Sequence, residues 1–498
     1  MIPLSAEEAG RALGLEPLAF PVVGVAIDSR SLKSGDLFVA LRGERFDGHD
    51  FVEAAFAAGA AGAVVEKRAW GDRTIEAERP LYRVDDTLQA LGALARAVRR
   101  KSSALVFAIT GSVGKTGTKD VLAAMAGRVR RTVATAANQN NEVGVPLTLL
   151  AIKPETEVVI VEMGMRGRGQ IRTLARVAEP DIGVITSVHP VHLELLGSLQ
   201  AVAEAKAELI EEVKSGGAMV VPADCAVLGP YLVGRGCKVV RFSARPQMDA
   251  AEGAADVEAW FERRREAAGC AVALRWPGGE AEVETFDLPA YRLENIVAAA
   301  AACYAAGLPV DGCVEAIADV RFGGGRGEVL RFPGIVLVDD TYNANPAAVR
   351  AALDDLVRLA AENDWRPVAV LGDMLELGPR SEAYHREVGE YAADLGVQAL
   401  WGVGARAAVI VDGFRARAEG APGRARRRTA GHVGSSEESS SVEVGLRPGD
   451  VVLFKASRGV KLEGMVDRVA ALAEAGRWAP SGSSGGEGAD EPEEMKPC

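Results

Sequence analysis

Cysteine is scarce and its few copies are scattered. The six residues, Cys225, Cys237, Cys270, Cys303, Cys313 and Cys498, include no C-x-x-C pair, so neither a disulfide framework nor a structural zinc site is indicated. There is no basic excess either. Lys and Arg number 57 against 69 Asp and Glu, a formal net charge of −12, so bulk attraction to a nucleic-acid backbone is excluded, although local positive clefts are not. Long apolar runs are missing. The longest uncharged stretch, Ile296 to Val310, is interrupted by Gly307 and Pro309 and falls short of the roughly 20 residues a bilayer crossing needs; it reads as a buried helix. Met1 to Glu8 lacks the basic segment and apolar stretch of a secretory signal, and no repeat of solenoid period is found. These absences together lead us to expect a reduced, cytoplasmic setting.

What is present is ordinary for a globular chain. With 48% hydrophobic and 25% charged residues over 498 positions, wholesale disorder and collagen are excluded and about three domains are expected. The first block, 1–100, mixes strand-like runs such as Asp36 to Leu41 with an alanine-rich helical stretch from Phe51 to Ala61 that is expected to stop at Gly62. Helical periodicity from Thr87 to Arg99, closing on Arg99-Arg100-Lys101, leads into the second block, 101–325. There, continuous apolar runs at 104–109, 158–161, 182–185 and 218–221 alternate with helical sequence, the signature of βαβ units and a parallel sheet. The third block, 326–478, repeats the pattern at 335–338, 368–371 and 451–454. The segment 420–441 is rich in Pro, Gly, Arg and Ser and is expected to be a flexible insertion; 479–498 is expected to be a disordered acidic tail.

One loop carries clear chemistry. Thr110-Gly-Ser-Val-Gly-Lys-Thr116 follows the 104–109 strand directly and opens a helix expected to begin near Thr118. Gly111 and Gly114 let the backbone of Ser112, Val113 and their neighbours, through Gly117, curl its N–H groups around phosphate oxygens at a helix N-terminus. Lys115 would reach the β and γ phosphates of ATP and the Thr116 hydroxyl would hold Mg²⁺. A glycine-rich turn with no ligand is the plain alternative. The glycine that the usual eight-residue motif needs five positions before Gly114 is replaced by Ile109, leaving a shortened G-x-x-G-K-T.

That short loop resembles the T-G-[ST]-x-G-K-T of the Mur ligase superfamily, ATP-dependent amide-forming enzymes of peptidoglycan synthesis. Val161-Glu-Met-Gly164, Ile185-Thr186, His192-Leu-Glu194 with Gly197-Ser198, and Ala205-Lys-Ala-Glu208 resemble its central domain in the same order. Asp339-Asp-Thr-Tyr-Asn-Ala-Asn-Pro346 and Gly372-Asp-Met-Leu-Glu-Leu-Gly378 resemble the branch that adds D-alanyl-D-alanine to UDP-N-acetylmuramoyl-tripeptide, as do Asp28-Ser-Arg30, the run from Leu37 to Gly43, and Asp47-Gly-His49. The resemblance covers about 25–470. It implies an α/β fold in three domains: a small mixed α/β UDP-binding domain (1–100), a central P-loop parallel-sheet ATPase domain (101–325) and a C-terminal Rossmann-like domain (326–478).

The same resemblance implies residue roles. Lys115, His192 and Lys206 would be catalytic; Thr116, Glu162, His192 and Lys206 would hold metal, with Lys206 carbamylated. Asn295, Arg326, Asp340, Asn343 and Asn345 would contact nucleotide. Ser29, Arg30, His49, Asn140, Asn141 and Arg458 would contact the other substrates. His189 is taken as structural. Read alone, several of these have plainer roles: Lys206 as a solvated helix lysine, Glu162 as a helix cap, Asn343 and Asn345 as turn formers. Three departures from the family pattern stand out. Tyr291-Arg292 precedes Asn295 where His-Asn is usual, which puts adenine contacts there in doubt; Ser187 replaces Asn after Thr186; and Ala456 replaces Gly in Lys455-Ala-Ser-Arg458. The expected partners are UDP-N-acetylmuramoyl-tripeptide and D-alanyl-D-alanine, with no nucleic acid, no membrane insertion and a monomeric state. Two alternatives stay open: the ligase adding the third amino acid, although its D-N-P-R segment is absent, and a catalytically silent nucleotide-binding homologue.

Overall fold

A computed structural model describes residues 1–43, 46–71, 73, 79–190, 193–234, 236–245, 255–262, 270–285, 289, 291–320, 324–362, 364–419, 428–438 and 440–478. Both the expected acidic tail, 479–498, and His192 lie outside them. The chain forms two compact units, Met1–Phe322 and Gly323–Cys498.

The first unit carries two sheets. Four short parallel strands, Val25–Ala26, Leu37–Val39, Gly62–Glu66 and Leu81–Val84, lie side by side in that order. The alanine-rich stretch is helical only over Val52–Ala57 and turns at Gly59, so Gly62 opens a strand instead of ending a helix. This strand, Gly-Ala-Val-Val-Glu, is paired on both sides and carries two β-branched residues, which favour a strand. Helix Thr87–Lys101 starts on an Asp86 cap, whose carboxylate accepts from Leu88 and Gln89 N–H at 2.8 and 2.9 Å. Its last turn is not a simple basic surface. Arg99 is buried and donates to the carbonyls of Ala178, Glu179 and Ala104 and to the Asp181 carboxylate, the last at 2.7 Å. That one guanidinium fastens the helix to the neighbouring sheet.

This second sheet has nine strands, ordered Gly279–Thr285, Cys270–Trp276, Val257–Glu262, Lys238–Arg245, Ala218–Pro222, Ile182–Ile185, Leu105–Thr110, Val158–Glu162 and Thr132–Ala134. Its strands run parallel except at the two pairings that Cys270–Trp276 makes. Side chains alternate faces. Val106 and Ala108 enter a core with the helices over 91–98, 145–150, 171–178 and 202–210, whereas Phe107 and Ile109 enter one with the helices over 121–126 and 293–303. Both faces are covered, which is why these strands read as unbroken apolar runs. The expected buried helix at Ile296 is real and spans Tyr291–Ala305. After Leu105–Thr110 the chain moves to one side of that strand and later returns on the other, so its carboxyl end is the topological switch point, where open α/β sheets bind ligands.

The second unit holds six strands, ordered Glu328–Phe332, Ile335–Asp340, Asp450–Lys455, Arg366–Gly372, Ala399–Val403 and Thr429–Val433, all parallel but the first. The last of these lies inside the segment expected to be a flexible insertion. Of that segment, 428–438 and 440–441 are described, and Thr429–Val433 pairs along its length with Ala399–Val403. An edge strand with only Val433 fully buried draws on backbone bonds more than on apolar burial, and Gly431 lets the Trp401 ring close over it.

Candidate active site

The phosphate-loop sequence folds into a turn braced from one side. Helix Lys115–Val129 begins three residues earlier than expected, with Gly114 at its N-cap in a left-handed conformation (φ 85°). A side chain at Gly111 would collide with the Thr186 hydroxyl, and one at Gly117 with Asn295 and Arg292, so the curl is open only to glycine. The bracing strand end is Thr186-Ser187. Thr186 Oγ1 donates to the Val113 carbonyl (2.5 Å), Ser187 Oγ accepts from Val113 N–H (3.0 Å), and Ser112 N–H donates to the Ser187 carbonyl (3.0 Å). Ser112 Oγ in turn donates to the His189 carbonyl (3.0 Å) and accepts from His189 N–H (2.8 Å). The N–H groups of Ser112 and Val113 are therefore used inside the fold. With no side chain at Gly114 to cap them, those of Lys115, Thr116 and Gly117 have no partner among the described residues, which leaves a cradle for anionic oxygens at a helix N-terminus. Thr116 is the second residue of this helix, and its hydroxyl likewise has no partner among the described residues.

Three charged groups gather behind this cradle. Lys115 Nζ donates to the Gly111 carbonyl at 2.8 Å, and burial pushes its ammonium below the usual lysine range against the pull of Glu162. Glu162, 2% exposed at the end of its strand, accepts from Asn140 Nδ2 at 2.8 Å through Oε1, while Oε2 is buried with no partner among the described residues. Lys206 sits on helix Leu199–Glu212 at 1% exposure; burial first, then the charge of Lys115, drives its pKa well below that of a free lysine. It is thus no solvated lysine. Two residues on, Glu208 accepts from Gly169 and Arg172 N–H at 2.6 and 3.0 Å and caps helix Gln170–Ala178.

Among the described residues no cluster of three His, Cys, Asp or Glu is found. The orphaned Glu162 oxygen and the Thr116 hydroxyl, both hard oxygen donors, fit Mg²⁺, an ion that takes few protein ligands and completes its shell with phosphate and water.

Other expected residues are placed differently. Asn295 reaches the loop: its amide nitrogen, assigned to face the acceptor, lies 3.1 Å from the Gly114 carbonyl, and its oxygen 3.3 Å from the Arg292 guanidinium. Arg292 is buried, 5.2 Å from the Tyr291 ring. Asn140 touches Glu162, and Asn141 Oδ1 accepts from Val143 and Gly144 N–H at the start of helix Gly144–Leu150. Arg30 is exposed and paired with Asp28 at 2.7 Å, which holds the Asp28 carboxyl down at about 2; Ser29 lies half-buried between them. His49 corrects the expectation of a ligand contact. It is 2% exposed, with Nε2 accepting from Glu66 N–H (2.9 Å) and Nδ1 on Asp47 (2.6 Å), so both nitrogens serve the fold.

In the second unit the expected residues cluster at the carboxyl ends of Ile335–Asp340 and Asp450–Lys455. Asp340 is buried and accepts from Lys455 Nζ at 2.6 Å; Lys455 also donates to the Asn343 carbonyl at 3.0 Å. Asn345 Oδ1 accepts from Ala348 N–H (2.9 Å), capping helix Pro346–Glu362 with proline at its first position. That is the turn-forming role, not a free ligand contact. Asn343 is exposed, its Oδ1 accepting from Ala344 N–H. Arg326 and Arg458 both stand by the Tyr342 ring, at 3.9 and 5.2 Å from its centroid.

Comparisons with known proteins match this layout segment by segment. Residues 21–99 match the Mur ligase family catalytic domain, 109–303 the Mur ligase middle domain and 325–458 the Mur ligase glutamate ligase domain. The UDP-N-acetylmuramoyl-tripeptide--D-alanyl-D-alanine ligase of Bacillus subtilis is 34% identical over 450 residues, 89% of this chain and 92% of its own. The chain belongs to the Mur ligase family. The ligase of the same name from Escherichia coli is also 34% identical, over 78% of this chain and 82% of its own. Among solved structures, MurF from Acinetobacter baumannii superposes with a TM-score of 0.79 at 26% identity, covering 94% of this chain and 98% of that one. MurF from Thermotoga maritima, solved in complex with ADP, gives 0.77 at 28% identity over 91% and 98%.

In this Mur ligase the long segment Gly372 to Gly378 is a structural hub that the sequence reading did not explain. Asp373 accepts from Arg406 and Ala407 N–H at 2.9 and 2.7 Å, starting helix Ala407–Glu419. Leu375 N–H donates to Ser457 Oγ, and Ser457 N–H to the Asp373 carbonyl. Beneath it lies His385, fully buried, with Nε2 accepting from Met374 N–H (3.0 Å) and Nδ1 donating to the Ser381 carbonyl (2.7 Å). The Ala456 departure is also accommodated here, its methyl filling the space where a side chain on Gly372 would stand.

Proposed function

We propose that this chain joins D-alanyl-D-alanine to UDP-N-acetylmuramoyl-tripeptide with cleavage of ATP to ADP and phosphate. The observation that carries the reading is the group formed by Lys115, Glu162 with its unpaired oxygen, and the buried Lys206, set behind an open helix N-terminus in a chain whose relatives bear that activity in their names. A carboxylate oxygen of the tripeptide attacks the γ-phosphorus of ATP, the bond to ADP breaks, and an acyl phosphate results. The dipeptide amine then attacks its carbonyl carbon, loses a proton, and inorganic phosphate leaves. Both steps crowd anions together, so stabilisation by fixed positive groups is the main requirement.

The residues divide this work. N–H groups of Lys115, Thr116 and Gly117 hold phosphate oxygens, and Lys115 Nζ neutralises charge growing on the transferred group. Gly111 and Gly114 shape the loop, with Ser112, Val113 and Asn295 fixing its path. Glu162 and Thr116 would hold Mg²⁺, which when bound supplies positive charge to the phosphates. Burial lowers the Lys206 pKa and so favours the neutral amine, the form that can add CO₂, forming an N–C bond and releasing a proton to leave a carboxylate-like group. His192, Ser29 and Arg30 are proposed contacts on the strength of family resemblance alone, as are Asn343 with nucleotide and Asn141 with the tripeptide. We place UDP recognition in 1–100, ATP chemistry in 101–325 and dipeptide delivery in 326–478. The enzyme is proposed to act as a cytoplasmic monomer; no helix among the described residues is long and apolar enough to cross a membrane.

Phosphate release, followed with ATP, Mg²⁺, UDP-N-acetylmuramoyl-tripeptide and D-alanyl-D-alanine each omitted in turn, tests the proposal. Release should require all four. ATP binding without dipeptide-dependent release would point to the silent homologue.

A further inference from the structure

Arg326 and Arg458 are far apart in sequence, yet their guanidinium carbons lie 3.9 and 5.2 Å from the centroid of one ring, Tyr342. Neither has a carboxylate partner among the described residues. Two cations beside one ring stay there only if the backbone enforces the placement or an attractive surface holds them. Both are present. Tyr342 N–H donates to the Gly325 carbonyl (2.8 Å) and Gly327 N–H to the Asp339 carbonyl (2.7 Å), which pins the turn carrying Arg326 against the end of strand Ile335–Asp340. Gly325 and Gly327 have φ of 72° and 78°, the left-handed conformations this turn requires. On the other side, Lys455 Nζ and Ser457 Oγ donate to the carbonyls of Asn343 and Ala344, which ties the loop carrying Arg458 to the segment that follows Tyr342. The electron-rich ring face then attracts both cations.

We propose that Tyr342 is a positioning residue whose ring holds Arg326 and Arg458 as a two-guanidinium clamp for an oxyanion at the carboxyl ends of the two adjoining strands. The inference rests on the functional reading above. The ligand chemistry is a carboxylate or phosphate oxygen pair, and within the proposed reaction it has two sources: the terminal carboxylate of D-alanyl-D-alanine and the phosphates of ATP. Guanidinium groups suit either, because their planar N–H forks pair with two oxygens at once. The Tyr342 hydroxyl has no part in the clamp; the ring face does the holding.

Equilibrium binding to the full-length protein tests this without requiring turnover. The probes are ATP, D-alanyl-D-alanine in the presence of UDP-N-acetylmuramoyl-tripeptide, and inorganic phosphate, each titrated calorimetrically into the parent protein and the variants Tyr342→Leu, Tyr342→Phe and Arg458→Lys. Tyr342→Leu is expected to weaken one of the first two probes about tenfold, a change that cation–π attraction of this size supports. The probe that weakens identifies the source of the oxyanion. Tyr342→Phe, which keeps the ring and loses only the hydroxyl, should bind as the parent does. Arg458→Lys, which keeps the charge but not the fork, should weaken the same probe, and this holds the proposal to account should Tyr342→Leu fail to fold. Unchanged binding of every probe by the Leu variant, loss in Phe as large as in Leu, or unchanged binding by Arg458→Lys would each overturn the clamp, as would a parent protein that binds no probe. A parent that binds ATP yet shows no dipeptide-dependent phosphate release would instead overturn the functional reading, and the variants would still decide the clamp.

Discussion

Lys206 is a lysine held where an ammonium is costly: it is 1% exposed, with a second cation, Lys115, in its field. A side chain so placed is held for its chemistry, since a leucine would fill the helix face at less cost. Replacing it with alanine should lower turnover about a hundredfold or more in the phosphate-release assay while the melting temperature holds or rises; full activity would remove Lys206 from the mechanism. Asn140 acts one step further out. Its amide fixes one Glu162 oxygen and leaves the other unpaired, so Asn140→Ala should raise the Mg²⁺ concentration needed for half-maximal rate by about tenfold, the usual scale for losing a residue that orients a metal ligand. His385 makes the opposite point, because its job is structural. Burial holds its pKa below the ordinary histidine value, and its Nε2 must stay unprotonated to accept from Met374 N–H. With the folded-state pKa depressed, the unfolded chain binds the proton first as pH falls. The stability is therefore present above about pH 6.5 and is lost on acidification below it. The melting temperature should fall between about pH 7 and 5, and fall less steeply in His385→Gln.

At the scale of elements, the phosphate loop depends on its neighbour strand. Ser187 stands where the family pattern has Asn, and its hydroxyl meets both Val113 N–H and the Val113 carbonyl, at 3.0 and 3.1 Å. The shorter side chain does the bracing by direct contact, and Ser187→Ala should weaken ATP binding several-fold with about 1 kcal/mol of lost stability. Arg99 performs a like service between helix Thr87–Lys101 and the nine-stranded sheet; Arg99→Met should cost about 3 kcal/mol in denaturant melts, because Asp181 and three carbonyls each lose a donor. Strands buried on both faces were legible as continuous apolar runs. The strands Lys238–Arg245 to Gly279–Thr285 were not, since Gly279–Thr285, for example, alternates Glu with Ala, Val and Thr and buries only one side. The edge strand Thr429–Val433 was hidden for a related reason: its identity lies in backbone pairing. Site residues divided likewise. Lys115 interacts with both Glu162 and Lys206, because loop, strand end and helix are fixed by local pattern. His49, Asp340 and Asn345 carry family-like motifs but spend their polar atoms on Glu66, Lys455 and Ala348, partners that spacing along the chain could not reveal.

For the molecule as a whole, a net charge of −12 must coexist with ATP and a nucleotide-linked substrate, both anionic. Local groups resolve this: uncapped helix N–H groups, Lys115 and a pair of arginines with no acidic partner among the described residues supply positive potential where the chain as a whole supplies none. The central claim is that these groups serve one ligation with one dipeptide. Its most direct measurement is the mass of the product formed from UDP-N-acetylmuramoyl-tripeptide, ATP and Mg²⁺ with D-alanyl-D-alanine, with D-alanine, or with a diamino acid offered in parallel. The dipeptide should give a UDP-muramoyl-pentapeptide, and the other two should leave the tripeptide unchanged. A product carrying a diamino acid, or no product from the dipeptide by a folded, ATP-binding protein, would contradict it.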